Sequence, residues 1–198
     1  MPQQPTYVIV GASLAGAKAA ETLREEGFDG RVVLLGHETE RPYERPPLSK
    51  EFLQGKEDKS VIYVHDESWY GDHDVDLRLG VAAASIDLGQ QQVLLADGSS
   101  VSYDALLLTT GASPRQLRVP GADLDGVAYL RTAADSERLK AALADGGQVV
   151  IAGAGWIGLE VAAAAREAGC DVTVVEPEPC PLQRSIGPEL GQVFGGLH

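Results

Sequence analysis

The sequence predicts an α/β fold in which a strand–helix–strand unit occurs twice, and three observations carry that prediction. Short, wholly apolar runs alternate with stretches rich in Ala, Leu, Glu and Lys. The former suit parallel strands buried on both faces, and the latter suit helices. Two of the apolar runs end in a glycine-rich turn that opens straight into a helical stretch: GASLAG at 11–16 and GAGWIG at 153–158. Finally, GASLAGAKAAETLREEGF (11–28) superposes on GAGWIGLEVAAAAREAGC (153–170) at an offset of 142 residues, an internal repeat.

Taken in order, Tyr7–Val10 is the first strand, ending at Gly11, and Leu14–Glu26 the first helix, with Gly27 as its C′ residue. Arg31–Leu35 is the second strand. The stretch 40–50, ERPYERPPLSK, is expected to be irregular around its prolines, with a short helix from Ser49 to Gln54. Val75–Leu79 and Val81–Ile86 read as strands. Gln91–Ala96 and Val101–Tyr103 read as an antiparallel hairpin turned at Asp97-Gly98. Ala105–Thr109 is a further strand ending at Gly111. A Pro- and Gly-rich connector, roughly 113–126, leads to a helix over Thr132–Ala144. The repeat follows as strand Gln148–Ala152, helix Trp156–Ala168 capped by Gly169, and strand Asp171–Val175.

Composition narrows the function classes. The formal charge of −13 argues against a nucleic-acid partner, which calls for clustered Lys and Arg. No apolar run approaches the roughly 18 residues of a membrane helix. The start, MPQQPT, runs into a strand without a basic or apolar leader, so a cytoplasmic location is the default expectation. Cys170 and Cys180 lie outside any CxxC arrangement. The four histidines (His37, His65, His73 and His198) lack ligand spacing, so no metal site is expected.

The glycine motifs carry the chemistry. A dinucleotide's pyrophosphate needs backbone N–H donors at a helix N-terminus and room for the backbone to approach closely. Gly153, Gly155 and Gly158, with Ile157 between them, form a complete motif, and small Ala162 follows one turn on. Glu176 ends the next strand, 18 residues after Gly158. A carboxylate there accepts hydrogen bonds from a ribose 2′-hydroxyl and repels a 2′-phosphate, which favours NADH over NADPH. The first motif, Gly11, Ser13, Leu14, Ala15 and Gly16, has Ser where the middle glycine belongs; Ser is small and adds a hydroxyl. With the two repeats set side by side, Gly36 falls opposite Glu176, and His37 and Glu38 follow it. Either side chain is a candidate for the adenosine ribose, Glu38 slightly first on chemistry. Two such motifs, each in strand–turn–helix–strand context, are a strong signal where one alone is weak. The fold class is therefore α/β with two Rossmann-like dinucleotide-binding units, a small antiparallel hairpin insertion, and both units incomplete.

With both units in view, the chain resembles the two-dinucleotide-domain flavoprotein reductases. Within them it is most similar to the oxygenase-coupled ferredoxin reductases, the putidaredoxin reductase and rubredoxin reductase type of the pyridine nucleotide-disulfide oxidoreductase superfamily. The marks are VIVGASLAG (8–16), RPYERPPLSK (41–50), LLLTTGASPR (106–115), YLRT (129–132) and GAGWIGLEVA (153–162), spread over essentially the whole chain. The RPPLSK block discriminates best, since generic Rossmann proteins lack it. The resemblance implies an FAD-binding part over 1–112 and an NAD-binding part over 113–198. It implies that Lys50 sits beside the flavin ring, Arg45 contacts the cofactor, and His37 lies at the FAD adenosine, where other members often carry an acid. It further implies that Ala83, Thr110, Gly111 and Arg131 line the flavin nucleotide, and that Glu160 approaches the nicotinamide and pairs with Lys50.

Each role has a plainer alternative. Lys50 is otherwise a solvated lysine, Glu160 a first-turn acid favoured by the helix dipole, and Arg131 a cap on a connection. Bulky Trp156 either packs over the cofactor site or fills an interface. Disulfide reductases of the superfamily carry a cysteine pair after the first unit, and residues 36–60 contain no cysteine. Electrons are therefore expected to leave the flavin for an external acceptor, and the resemblance implies the route from NADH through FAD to an iron–sulfur carrier, a ferredoxin or rubredoxin serving a P450 or Rieske oxygenase. Members of the group run about as long again past the second unit. This chain is thus expected to be an N-terminal part, with apolar faces open to self-association. Two other readings stand beside the reductase: a nucleotide-binding fragment without turnover, and a redox-sensing flavoprotein, as the likeness to apoptosis-inducing factor permits.

Overall fold

The computed structural model describes residues 4–197; the opening three residues and His198 lie outside the described residues. The chain divides into two compact units, one holding residues up to Glu44 together with Ile62–Ser113, the other Arg45–Val61 and the chain from Pro114 onward. The RPPLSK block thus belongs to the second unit.

In the first unit, β1 (Thr6–Val10), α1 (Leu14–Glu25) and β2 (Arg31–Leu35) form the opening βαβ element. A single helical turn, α2 (Trp69–Asp72), precedes β3 (Val75–Arg78). Strands β4 (Ala83–Asp87), β5 (Gln92–Leu95) and β6 (Ser100–Ser102) form an antiparallel sheet of their own, and β7 (Ala105–Leu108) returns to the main one. The main sheet is wholly parallel in the order β3-β2-β1-β7, with Val10 in register with Leu35 on one side and Leu108 on the other. Side chains alternate across it. Val8, Val10, Val33 and Leu35 pack on Val93, Leu95 and Val101 of the antiparallel sheet. Ile9, Val32 and Leu34 pack on Ala20 of α1 and on Tyr70 and Val75. Burial on both faces explains why β1 and β2 read as unbroken apolar runs. α1 ends in a Schellman motif: Gly27 takes φ +79°, its N–H donates to Arg24 O, and Phe28 N–H donates to Leu23 O.

The second unit contains a 3₁₀ turn at Pro46–Ser49, then α3 (Ala133–Leu143), β8 (Gly147–Ala152), α4 (Trp156–Glu167), β9 (Cys170–Val175) and α5 (Gln183–Gly195). β8 and β9 pair in parallel. Leu53, Leu143, Ala164, Ala165 and Cys170 form one small core, and Ala154, Leu159 and Leu182 another. The buried Ser136 hydroxyl of α3 donates to Leu48 O at 2.7 Å, which ties the proline block to the unit.

Two local expectations need correction. Prolines 46 and 47 do form regular structure, because the first turn of a helix has no use for the N–H they lack. The helix expected over Ser49–Gln54 is instead that 3₁₀ turn followed by hydrogen-bonded turns, since Lys50 leaves helical geometry at φ −118°, ψ −127°. α2 and α5 were not anticipated. α2 is a single turn, and α5 is broken at Gly187 (φ +83°) ahead of Pro188, which hides its period.

Candidate dinucleotide-binding sites

The two glycine loops are built alike. Gly11 N–H donates to Leu35 O and Gly153 N–H to Val175 O, each at 2.8 Å, so Gly36 and Glu176 occupy matching positions. Gly11 and Gly153 take φ of +120° and +109°, which an L side chain resists. A Cβ on Gly16 would lie 2.1 Å from Gly11 O, and a Cβ on Gly158 would lie 2.1 Å from Gly153 O. Each helix therefore starts directly against its own loop, where nothing larger than a hydrogen fits. At the middle position Ser13 and Gly155 both have extended backbone, φ −126° and −80°, which any residue adopts. Nothing lies within 4 Å of a Cβ placed on Gly155, so serine at that position of the first loop is accommodated.

Both helices leave their N-termini without a side-chain cap and without an acid in the first turn. α3 shows the alternative: Thr132 and Asp135 form a capping box, with Asp135 Oδ2 accepting from Thr132 N–H at 2.7 Å and from Arg131 N–H at 3.1 Å. Its donors are spent internally, whereas those of α1 and α4 remain for an anion. Leu14 and Ala15, and likewise Ile157, are exposed at these helix starts. The fit to a dinucleotide pyrophosphate is thus good in both units.

The acids differ. Glu176 Oε2 accepts from Ala154 N–H at 2.7 Å and Oε1 from Glu178 N–H at 3.0 Å. The Ala154 hydrogen bond, then the one from Glu178, holds its carboxyl below the ordinary range. Two of its roughly four acceptor positions remain for ribose hydroxyls. In the first unit Gly36 stands in its place, His37 is exposed, and half-buried Glu38 accepts from the Tyr43 hydroxyl. Thr109, absent from the sequence-predicted set, does in the first unit what Glu176 does in the second, fixing the loop. Its N–H donates to Val10 O at 2.8 Å and its hydroxyl to Gly11 O at 2.8 Å. Thr110 and Gly111 follow it, exposed beyond the end of β7, while Ala83 lies exposed at the start of β4 in the antiparallel sheet.

In the second unit the geometry gathers Arg45, Lys50, Arg131, Trp156, Ile157 and Glu160 around one cavity of about 300 Å³. Lys50 Nζ lies 3.1 Å from Glu160 Oε1, and Ser49 Oγ donates to Glu160 Oε2 at 2.6 Å. Arg45 donates to the Arg131 carbonyl. A partly exposed ion pair of this kind adds at most ~1 kcal/mol of stability; its effect is to hold an ammonium and a carboxylate at fixed places on the cavity wall. Trp156 is 48% exposed there and meets Phe194 edge-on at 5.9 Å. Ser49 was the partner not singled out in the sequence, although it sits within the RPPLSK block. Cys170 and Cys180 are buried free thiols. Among the described residues no three His, Cys, Asp or Glu side chains group as a metal ion would require.

Two parallel βαβ elements with matching glycine loops, uncapped helix starts and a carboxylate on one loop define a protein of the dinucleotide-binding class. The profile of the pyridine nucleotide-disulphide oxidoreductase family matches residues 5–196, and the chain belongs to that family. It is 44% identical over 193 residues to rhodocoxin reductase of Rhodococcus erythropolis, covering 98% of this chain and 45% of the relative. It is 43% identical over 181 residues to rubredoxin-NAD(+) reductase of Pseudomonas putida, covering 91% and 47%. Among solved structures, the ferredoxin reductase for the CYP199A2 system from Rhodopseudomonas palustris superposes with a TM-score of 0.94 at 40% identity, over 98% of this chain and 48% of that one. Putidaredoxin reductase, in its covalent complex with putidaredoxin, gives 0.92 at 36%, over 99% and 48%. The chain spans about half the length of the curated relatives it matches.

Proposed function

We propose that this chain is the nucleotide-binding part of an NADH-dependent flavoprotein reductase that passes electrons through FAD to a ferredoxin or rubredoxin serving an oxygenase or P450. The observation that carries the reading is the duplicated loop, in which a Cβ on Gly16 or on Gly158 would lie 2.1 Å from a backbone oxygen, so that no side chain fits. The names of the relatives, a rubredoxin-NAD(+) reductase among them, support the choice of electron acceptor. FAD is assigned to the part over 1–112 and NADH to the part over 113–198.

On the NADH side, Gly153, Gly155, Ile157 and Gly158 present the α4 N-terminus to the pyrophosphate, and Glu176 takes the adenosine ribose. On the FAD side, Gly11, Ser13, Leu14, Ala15 and Gly16 do the same at α1, with Glu38 or His37 toward the adenosine. Ala83, Thr110, Gly111 and Arg131 are assigned to the flavin nucleotide and Arg45 to a cofactor contact. Lys50 is assigned to the flavin ring and Glu160 to the nicotinamide; their mutual ion pair fixes both charges. A bound flavin would supply the chemistry, acceptance of hydride from reduced nicotinamide and one-electron release to an iron–sulfur carrier. The protein's contribution is binding, orientation and charge.

The deciding test is the visible spectrum of the purified chain. A yellow protein that bleaches anaerobically with NADH and recovers on adding oxidised ferredoxin or rubredoxin supports the reductase. A colourless protein supports the second reading, a nucleotide-binding fragment without turnover. Bleaching without delivery to either carrier supports the redox sensor. A cytoplasmic location is proposed with the reductase; among the described residues no helix is long and apolar enough to cross a membrane.

The chain on its own is also proposed to self-associate. Leu108 and Val150, on β7 and β8, are 55% and 71% exposed, and an apolar groove of about 580 Å³ runs between α1 and strands β1 and β7. A monomeric elution volume at micromolar concentration contradicts that.

A further inference from the structure

The first unit holds an aromatic cluster that the proposed nucleotide contacts leave unused. At α2 three rings form a column: His65 stacks on Trp69 at 3.9 Å and 13°, and Trp69 on His73 at 4.4 Å and 19°. Tyr70, buried with Ile9, Val32 and Leu34, meets His65 edge-on at 5.9 Å. His73 Nδ1 lies 2.8 Å from Trp69 O. α1 clamps the end of the column: Arg24 Nε donates to His73 O and its Nη2 to Asp74 O, each at 2.8 Å. Asp74 takes φ +52° there, in the left-handed region.

Among the described residues three buried side-chain atoms lack a hydrogen-bond partner, and two of them, His65 Nε2 and the Tyr70 hydroxyl, belong to this cluster. Such a concentration marks a place where docking is bought at a cost in polar contacts. Only 9% of the His65 side chain is exposed, and its Nε2 stands 3.6 Å from Glu21 Oε2 of α1, too far for a hydrogen bond. That same oxygen is already bound by Lys18 Nζ at 2.7 Å. A proton on His65 would therefore set a second cation beside a carboxylate whose charge is spent, in a side chain nearly sealed from water. The surrounding charges leave that balance in place. Burial holds the imidazole below its ordinary 6.5 against the pull of Glu21 and Asp66, and Lys18 and His73 add to the effect of burial. The Tyr70 hydroxyl, which Arg41 and Glu21 also reach, is pushed up to about 12 by burial and stays uncharged.

The cluster leads directly into β3, the edge strand of the main sheet. The far end of β3 holds the turn that follows β2: Gly36 N–H donates to Arg78 O at 2.8 Å, Gly80 N–H to Glu38 O at 2.9 Å, and Val81 N–H to Gly36 O at 2.8 Å. An edge strand and a one-turn helix are the kind of element that opens locally while the rest of a unit stays folded. We propose that His65 is the trigger of a pH-sensitive latch: neutral, it docks α2 on α1, and protonated, it loosens α2 and β3 and with them the turn at Gly36 and Glu38. The sign follows from linkage. The docked state favours the neutral ring, so its stability is complete above the ordinary 6.5 and is lost as pH falls through the lower docked value. The latch stands on contacts within the first unit; only its consequence, a weaker hold on the FAD adenosine in acid, rests on the FAD reading above.

The test is amide hydrogen exchange of the full chain, read by NMR without added nucleotide between about pH 7 and about pH 5. Exchange at Gly80 and Val81 is divided by that at Gly153 of the second unit, which removes the intrinsic pH dependence. In the wild-type chain the two amides are expected to lose protection as pH falls. His65→Phe keeps the stack without the titration and should keep its protection, while His73→Phe should follow the wild type. Lys18→Gln, at a side chain 52% exposed, frees Glu21 to pair with a protonated His65 and should also keep protection in acid. Should His65→Phe fail to fold, Lys18→Gln decides alone. Protection that is unchanged or raised in the wild type overturns the latch. So does a loss that persists in folded His65→Phe or in Lys18→Gln, or one that vanishes in His73→Phe. A chain that binds no FAD overturns the FAD reading and leaves the latch standing.

Discussion

The two βαβ elements share a loop and differ in nearly everything around it. In the first, β1 is flanked on both sides, by β2 and β7, and Val8, Ile9 and Val10 are buried. A Cβ on Gly11 would there lie 2.2 Å from Thr109 O. In the second, among the described residues, β8 pairs with β9 alone, Val150 is exposed, and nothing lies within 4 Å of a Cβ on Gly153. Yet Gly16 and Gly158 sit equally close to their loops, and Gly11 and Gly153 make the same hydrogen bond to the end of the neighbouring strand. The loop geometry is therefore a local property of strand, glycine spacing and helix start. The surrounding sheet supplies burial, not the shape of the phosphate cradle.

Substitutions at the shared loop positions should do the same kind of injury to whichever unit carries them, while those in the surroundings have no counterpart in the other unit. The largest effects belong to Gly16→Ala and Gly158→Ala, whose methyl groups would meet backbone oxygens that cannot move aside. Each should lose about 1–3 kcal/mol in urea denaturation, the cost of overpacking. Gly16→Ala should be the worse, since Leu34 and the Thr109 hydroxyl crowd the same space at 3.1 Å. Next comes Thr109→Val, which removes the hydroxyl that donates to Gly11 O. A loss of about 1 kcal/mol is expected, with faster amide exchange in the first glycine loop and none in the second.

Glu176 sharpens the comparison through pH. Its hydrogen bonds from Ala154 and Glu178 lower its pKa from the ordinary 4.5, so the stabilisation it gives is present above that value and is lost as pH falls through the lower folded value. The gap in urea midpoint between the wild-type chain and Glu176→Gln should be open at pH 7 and close as pH falls below the ordinary 4.5 and through the lower folded value. The smallest effect is the exchange of the middle residues. Gly155→Ser and Ser13→Gly should each change stability by less than about 0.5 kcal/mol, because both positions have extended backbone and Gly155 faces open space.

The elements that place the sites were legible because each is encoded locally. β1, β2, β8 and β9 read as apolar runs, α1 and α4 as their helical sequels, and Gly27 and Gly169 as their caps. The antiparallel strands β5 and β6 followed from Asp97-Gly98, where Gly98 takes φ +87°. What escaped reading depends on contacts distant in sequence. Ser49 meets Glu160 across 111 positions, and Thr109 meets Gly11 across 98. The placement of Arg45–Val61 in the second unit is of the same kind, set by the Ser136 hydroxyl on Leu48 O and by Leu53 in that unit's core. α5 was hidden by its own Gly187-Pro188 break. No apolar period or spacing rule reports such pairings.

The account stands most directly on one claim: that each loop serves its own nucleotide. Parallel titrations of FAD and NADH into the wild-type chain, Gly16→Ala and Gly158→Ala measure it, with circular dichroism confirming that each variant is folded. Gly158→Ala should lose NADH and keep FAD, and Gly16→Ala should lose FAD and keep NADH. NADH binding that survives in folded Gly158→Ala, or that disappears in folded Gly16→Ala while FAD remains, contradicts it.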